Sequence, residues 1–537
     1  MLSFPKKLLG LGIAVALTLV GSSSSFADCY DASSSCCSNF GSIYATLGLN
    51  YGVLYEKVPF DSRALFDPAN LLFPNPISTS LLKNRGLGGG QLFGSFNLGY
   101  QTPTWCRLHL SLEAFVTGTP KIQSIADTAD AKDSPFQVFK VKTSRDFFMT
   151  PTFGLALKPA FQIYPDVFIA GRFGYCVARA EFHRKSIGSG SVDFNGLSST
   201  LNTYDETTHK YLRAIQTGLS YGIRLSDHFT LNMGYTWNHY NSITQSFRIV
   251  DPSNNQFAIR SSKVRPELES FTTSISYSFT PSEIYSRGDR ASCGHEVYAG
   301  FVGDRDNTTI QDLYHTAIPK ALSVQNPVVF FDTFLTNNSR VARGWGYEGF
   351  IGYGYTFTCG EYLGFEAFYN SSPTSYKDSS LAVIPAGFGS SAAARLTSPS
   401  TLEKLKDSYG VVFVPGYKLN DHILVYFKLG VAKRRLQFKE TANAVPPLIP
   451  RGQKIFNRNT DIDIYGYQLG AGFDLRLCGN LYLRNEFVVT QFSSGKLRRN
   501  TSPLLSNGGF LVAIDRSFIA QSGQYKMGLV YKFPVGK

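Results

Sequence analysis

Residues 467–477, YQLGAGFDLRL, alternate strictly: Tyr467, Leu469, Ala471, Phe473, Leu475 and Leu477 fall on one face, and Gln468, Gly470, Gly472, Asp474 and Arg476 on the other. That is the period of a β-strand. Residues 215–225, IQTGLSYGIRL, repeat the pattern and place Gln216, Gly218 and Arg224 at matching polar steps. One wholly apolar face, backed by a face that mixes glycine with charge, suits a strand between lipid and a polar barrel interior.

The same alternation recurs along the chain. In the first half it predicts eight strands, near residues 43–53, 91–101, 107–116, 147–163, 167–182, 211–225, 229–238 and 271–279. Short connections at 102–106, 164–166 and 226–228 lie on one side. The polar stretches 54–90, 117–146, 183–210 and 239–270, read as long loops, lie on the other. Short turns on one side and long loops on the other are the arrangement of outer-membrane barrels.

The second half repeats this order, with strands expected near 297–303, 346–357, 362–369, 409–419, 423–438, 464–477, 481–492 and 524–533. Ile43-Tyr44-Ala45 matches Val297-Tyr298-Ala299, and Leu112-Glu113-Ala114-Phe115 matches Phe365-Glu366-Ala367-Phe368. The fifth strand aligns without a gap, setting Arg172 on Lys428 and Arg179 on Arg435. Preserved order across eight segments predicts a duplicated unit. The expected organisation is a signal peptide (1–27), a periplasmic lead (28–40), a first barrel repeat (41–280), a linker (281–296) and a second barrel repeat (297–537).

Each half resembles the eight-stranded OmpA-type or opacity-protein barrel. The likeness rests on the interior Glu of LSLEAF and LGFEAF, the Gly and Arg-Leu of the turn approach (GIRL, GFDLRL) and the aromatic last strand. It implies an all-β fold of two tandem eight-stranded transmembrane barrels. The alternative is one sixteen-stranded barrel, made by pairing the eighth strand with the ninth. No peptidoglycan-binding domain follows the second barrel, a departure from OmpA itself. Cysteines in an exported barrel also give a weaker likeness to the disulfide-linked major outer-membrane proteins of chlamydia-like and Legionella-like bacteria.

Composition alone would point elsewhere, because the mean hydropathy of −0.09 is that of a soluble protein. Alternation hides barrels from hydropathy windows, and no run of about 18 apolar residues could cross as a helix. Lys6 and Lys7, the apolar run 8–20 and Ser25-Phe26-Ala27 read as a cleaved export signal. The expected location is therefore the outer membrane of a diderm bacterium. The net charge of +13 attracts polyanions, but no nucleic-acid motif is present and export argues against that partner. Lipopolysaccharide and outer-membrane lipid are the expected counterparts, with the barrel-assembly machinery, and host or surface ligands at the loops.

Periodicity turns Glu113, Arg172 and Arg224 into the first lumen, and Glu366, Lys428, Asp474, Arg476, Arg484 and Glu486 into the second. Side chains fill a barrel of eight strands, so these charges must pair. They form either a network that holds the barrel shut or a charged constriction of a pore. Glu113 is expected to pair with Arg172 or Arg224. The eight histidines are dispersed without ligand spacing, so no metal is expected. No nucleophile elbow or phosphate-cradling loop is present, and Gly86–Gln91 reads as a strand entry, so neither a cofactor nor an enzyme activity is expected.

Cys29, Cys36, Cys37, Cys106, Cys293, Cys359 and Cys478 fall on the periplasmic side, where an oxidising compartment favours disulfides. Their partners are open. Lys526, Gly528, Tyr531 and Phe533 resemble the C-terminal signal recognised by the barrel-assembly machinery. The two functional expectations are a structural and surface-interaction protein acting through its outer loops, and a porin built on the sixteen-stranded alternative.

Overall fold

The computed structural model describes residues 41–57, 87–104, 107–120, 122–134, 137–164, 166–194, 197–200, 204–251, 256–280, 292–321, 329–358, 360–379, 395–396, 400–445, 454–500 and 513–535. The first half contains β1 (Ser42–Lys57), β2 (Leu87–Gln101), β3 (Leu108–Thr117), β4 (Ile122–Ser134), β5 (Gln137–Met149), β6 (Thr152–Tyr164), β7 (Val167–Phe194), β8 (Leu197–Thr200), β9 (Tyr204–Arg224), β10 (Phe229–Tyr240), β11 (Ile243–Asp251) and β12 (Gln256–Ser278). The second half contains β13 (Gly294–Ala321), β14 (Val329–Thr356), β15 (Glu361–Ser371), β16 (Thr374–Ser379), β17 (Arg395–Leu396), β18 (Ser400–Asn420), β19 (Ile423–Val445), β20 (Lys454–Cys478), β21 (Leu481–Phe492), β22 (Gly495–Asn500) and β23 (Ala513–Val535).

Each half closes on itself. The ring β1-β2-β3-β6-β7-β9-β10-β12 returns to β1, with Tyr44 opposite Ser278. The ring β13-β14-β15-β18-β19-β20-β21-β23 returns to β13, with Ala299 opposite Tyr531. The fold is thus two tandem eight-stranded antiparallel barrels, and the fused sixteen-stranded ring does not form. Closure satisfies every ladder hydrogen bond without an edge in the hydrocarbon.

The strands run much further than the apolar alternation. β7, β13 and β14 have 28 residues each, whereas a membrane-crossing strand needs about 9–11. The stretches 117–146, 183–210 and 239–270, expected as loops, carry strand over most of their length. Above the bilayer the outward strand face meets water, so the sequence there loses its apolar outward phase while the backbone ladder continues. The expected single strand 147–163 is broken at Thr150-Pro151, where proline has no N–H for the ladder.

Outward residues of the two rings separate into two sets. Leu47, Phe365 and Tyr467 are exposed, as lipid-facing side chains should be. Tyr51, Val53, Tyr221, Ile223 and Phe271 of the first ring are buried together with Val341, Ile423, Phe473, Leu475 and Phe487 of the second. The barrels therefore stand side by side, sharing an apolar seam. Phe271 stacks on Phe487 and Tyr525 at 5.6 and 5.9 Å, and Tyr221 meets Phe473 at 6.0 Å.

Glycines let the walls approach closely. A Cβ on Gly523 would lie 2.3 Å from the Tyr51 ring, one on Gly88 would lie 2.2 Å from Val341, and one on Gly90 would lie 2.4 Å from Thr309. The glycine run read as a strand entry is thus also part of the contact between barrels. Outside the membrane, Asp332–Asn337 of β14 pair antiparallel with Ala126–Ala131 of β4, joining both rings into one continuous sheet. On the opposite side, Asp421 accepts from the Ser292 amide and hydroxyl, both at 2.9 Å, which ties the end of the linker to a turn of the second barrel.

Substituting Gly523 by Val should wedge the seam open against Tyr51 and destabilise the protein by about 1–3 kcal/mol, the usual cost of overpacking. Gly349→Ala, at a position with nothing near its Cβ, should leave the unfolding midpoint in detergent unchanged. Equal midpoints for the Gly523 variant and the parent would contradict the seam.

Candidate functional site

Inward side chains of the second barrel form a dense ionic plug. Glu366 accepts from Lys428 and Arg484, both at 2.6 Å. Glu486 lies 2.7 Å from Lys428 and 3.4 Å from Arg484, and Asp474 lies 2.8 Å from Arg484 and 3.1 Å from Lys532. The Arg484 guanidinium also lies 4.2 Å from the Phe350 ring centre. Lys428, Arg484, Glu366, Glu486 and Asp474 are all essentially inaccessible to solvent. Lys526 extends the network to Glu348, Lys532 reaches Glu296 at 3.0 Å, and Arg434 holds Asp306 at 2.7 Å one storey higher. Above these ions, Ile310, Leu436, Phe438, Phe492 and Phe518 form an apolar lid.

The first lumen is built differently. Glu113 takes Lys158 at 2.9 Å, the Tyr44 hydroxyl at 2.7 Å and the Arg172 guanidinium, whose Nε also donates to Gln216 at 2.6 Å. Beside this cluster is a cavity of about 60 Å³ lined mainly by hydroxyl and amide side chains, among them Asn50, Asn97, Asn232 and Thr272. That volume holds a few waters at most. An apolar cluster including Leu54, Phe115, Phe182, Tyr240 and Leu268 closes the far end.

Glu113 and Arg172 meet, as do Glu366, Lys428, Asp474, Arg484 and Glu486. Arg224 does not reach Glu113. It ends its strand at the short-turn mouth, where its backbone amide donates to the Asp166 carbonyl at 2.8 Å. Its Nη1 has no hydrogen-bond partner among the described residues. Burial pushes the Asp166 carboxyl up to about 6, against the opposing pull of Arg224. Arg476 likewise sits at a strand end, donating to the Gly479 carbonyl rather than to the plug.

Sequence reading missed Lys158, Glu348, Asp304, Asp306, Arg434 and Lys532 as lumen residues. The two-residue phase of the expected strand 346–357 already holds Glu348, and continuing that of β13 past residue 303 would have found Asp304 and Asp306. In the expected assembly signal, Tyr531 and Phe533 face outward and exposed. Lys526 belongs to the lumen, and Gly528 lies where a Cβ would be 2.1 Å from the Phe301 carbonyl oxygen.

The described cysteines Cys176, Cys293 and Cys478 are thiols, so the structure pairs neither Cys293 nor Cys478 in a disulfide. Cys29, Cys36, Cys37, Cys106 and Cys359 lie outside the described residues.

The seam holds a second ionic cluster, on faces that would otherwise meet lipid. Glu269 of β12 accepts from Arg343 at 2.6 Å, Asn307 at 3.0 Å and Arg305 at 3.1 Å, all from the second barrel. Arg343 lies 3.7 Å from Glu267, and its guanidinium is 4.1 Å from the Tyr55 ring centre. Glu269 stands nine residues from the strand end at Ser278, about 23 Å up a strand tilted by roughly 40°. That is within the apolar band of about 25 Å, so the first barrel could not leave the second without carrying the bare charge of Glu269 into lipid.

Closed antiparallel rings, apolar outer walls and charged interiors define an integral membrane β-barrel. Residues 319–533 match the family described as outer membrane protein beta-barrel domain. No curated protein matches the chain. Among solved structures, a Pseudomonas aeruginosa FadL homologue is similar at 12% identity over 91% of this chain and 90% of its own, with a TM-score of 0.24. Ail, the attachment invasion locus protein of Yersinia pestis, solved with the heparin analogue sucrose octasulfate, is 13% identical over 42% of this chain and 99% of its own, at 0.19. The Pseudomonas putida toluene transporter TodX is 8% identical over 91% and 90%, at 0.20. Scores this low carry no argument about function. The chain is a membrane β-barrel protein by its fold, and its second half matches the outer-membrane barrel domain.

Replacing Glu366 by Gln leaves Lys428 and Arg484 short of one counter-charge inside a dry lumen. Breaking such a buried set costs about 3–5 kcal/mol, so the urea midpoint of the compact band on unboiled gels should fall clearly. Asp463→Asn, on the exposed outer rim, should not move it. A Glu366 variant as stable as the parent would mean that the lumen is hydrated and the plug open.

Proposed function

We propose that this protein is a non-conducting outer-membrane component that acts structurally and through its extracellular β-extensions, in an adhesin-like role. The observation that carries the reading is the buried plug of Glu366, Lys428, Asp474, Arg484 and Glu486, which fills the second lumen at ion-pair distances. Supporting it, the first lumen is shut by the Glu113 cluster at one level and by apolar side chains at another. A conducting pore needs sites weak enough for ions to leave, and a mutually saturated network has none to offer.

The extensions give the outward face its role. A strand of 28 residues tilted by roughly 40° spans about 70 Å, so more than half of β14 stands beyond the hydrocarbon. Paired to β4, it forms part of a stiff platform shared by both barrels. Surface or host ligands are its natural partners, and the catalytic reading has no constellation behind it. Residues 1–27 serve as the cleaved export signal in this scheme. Tyr531 and Phe533, at the aromatic end of β23, serve recognition by the assembly machinery.

Planar-bilayer recording of the refolded full chain should give a quiet membrane. Large, steady, ion-passing steps would overturn the non-conducting reading and favour the channel.

A further inference from the structure

We propose that Arg179 and Arg213, on the outer wall of the first barrel, form a binding site for the phosphate of an outer-leaflet lipid headgroup. Following the β7–β9 register outward, the lipid-facing rungs read Phe173 with Thr217, Tyr175 with Ile215, Val177 with Arg213, and Arg179 with Tyr211. Phe173, Tyr175 and Ile215 are more than half exposed, as a lipid-facing belt should be. Chemistry changes from apolar to cationic within one step. Arg179 lies twelve residues past the start of β7 at Val167, about 31 Å up the tilted strand, where the apolar band of about 25 Å has ended. That is headgroup depth.

Both arginines are exposed, and among the described residues neither guanidinium has an ion partner. The charges above them are engaged: Glu181 lies 3.6 Å from His209, and Asp205 lies 2.6 Å from His183 and 2.8 Å from Lys185. Tyr211 lies beside them, 69% exposed, as an interfacial ring.

The second barrel supplies an internal contrast. Arg435 stands twelve residues past the start of β19, as Arg179 does in β7, and its cross-strand partner is Asp463 where Arg179 faces Tyr211. Asp463 takes Lys433 at 2.7 Å and Arg435 at 3.6 Å. One wall is thus neutralised by its own carboxylate, and the matching wall presents two unneutralised guanidiniums. Guanidinium forks match phosphate oxygens, and cations near an anionic surface attract it within a Debye length. The inference uses the outer-membrane placement and is independent of whether either lumen conducts.

The test is binding of purified lipopolysaccharide to the full chain in uncharged detergent, compared with its dephosphorylated form and with inorganic phosphate. The double variant R179Q/R213Q should bind about thirtyfold more weakly at low salt, the weight of two surface cations. R435Q should bind as the parent does. D463N, which releases Lys433 and Arg435, should bind more tightly, and this gain is a result that misfolding cannot imitate. Equal binding by R179Q/R213Q and parent, or equal binding of dephosphorylated lipopolysaccharide, would overturn the proposal. Full competition by inorganic phosphate at equal concentration would overturn the lipid assignment in favour of a general anion site.

Discussion

Hydrocarbon offers no hydrogen bond, and the architecture follows from that constraint. Every backbone N–H and C=O at membrane depth must find a partner within the protein. Closing β12 on β1 and β23 on β13 supplies those partners twice. Once two small rings have closed, their interiors are too narrow for bulk water, so whatever points inward must be satisfied by other side chains. Charges fixed inward by strand phase therefore become ion pairs by necessity, and Glu113 and Glu366 each become the centre of a cluster.

The two lumens meet that demand unequally. In the second barrel, acids and bases interlock over several storeys, and aromatic rings pack on the guanidinium of Arg484. In the first, one carboxylate and two cations leave room for a small polar cavity. Paired ions of this kind contribute little net stability relative to apolar filling, but any single loss strands a desolvated charge. The network consequently defends closure more than it strengthens the fold.

Between the barrels the same constraint works on the outer walls. Glu267 and Glu269 alternate on the lipid-facing side of β12, and Arg305 and Arg343 occupy the lipid-facing side of the second barrel. Glu269, at hydrocarbon depth, would be costly alone in a bilayer. Together, with Tyr51 laid against Gly523, the two sets make the two barrels a single unit, and the β4–β14 ladder continues that unit beyond the membrane. The linker is held to the second barrel by Asp421, whose carboxyl stays below the usual range because the Ser292 donors and Lys418 outweigh the opposing effect of burial.

The sequence by itself determined the class of fold, because apolar–polar alternation in segments such as 467–477 has only one membrane-compatible outcome. It also determined which face of those strands turns inward, and hence that Glu113, Arg172, Glu366, Lys428, Asp474, Arg484 and Glu486 lie inside. Partner choice was beyond it. Arg224 and Arg476 share the inward phase, yet each stands at a strand end, and phase says nothing about height along the barrel. Lys158 and Arg434 lie on the inward phase of the expected strands 147–163 and 423–438, and Asp306 on that of β13 carried past residue 303, but phase does not name their partners. Only the tertiary structure decided that some apolar outward faces are buried. Phe473 and Leu475 follow the same rule as Tyr467 and Leu469, but two meet the other barrel and two meet lipid, and local periodicity is identical in both cases. The charges of the seam were likewise hidden, in segments read as loops, because their meaning depends on a wall that is distant in the chain.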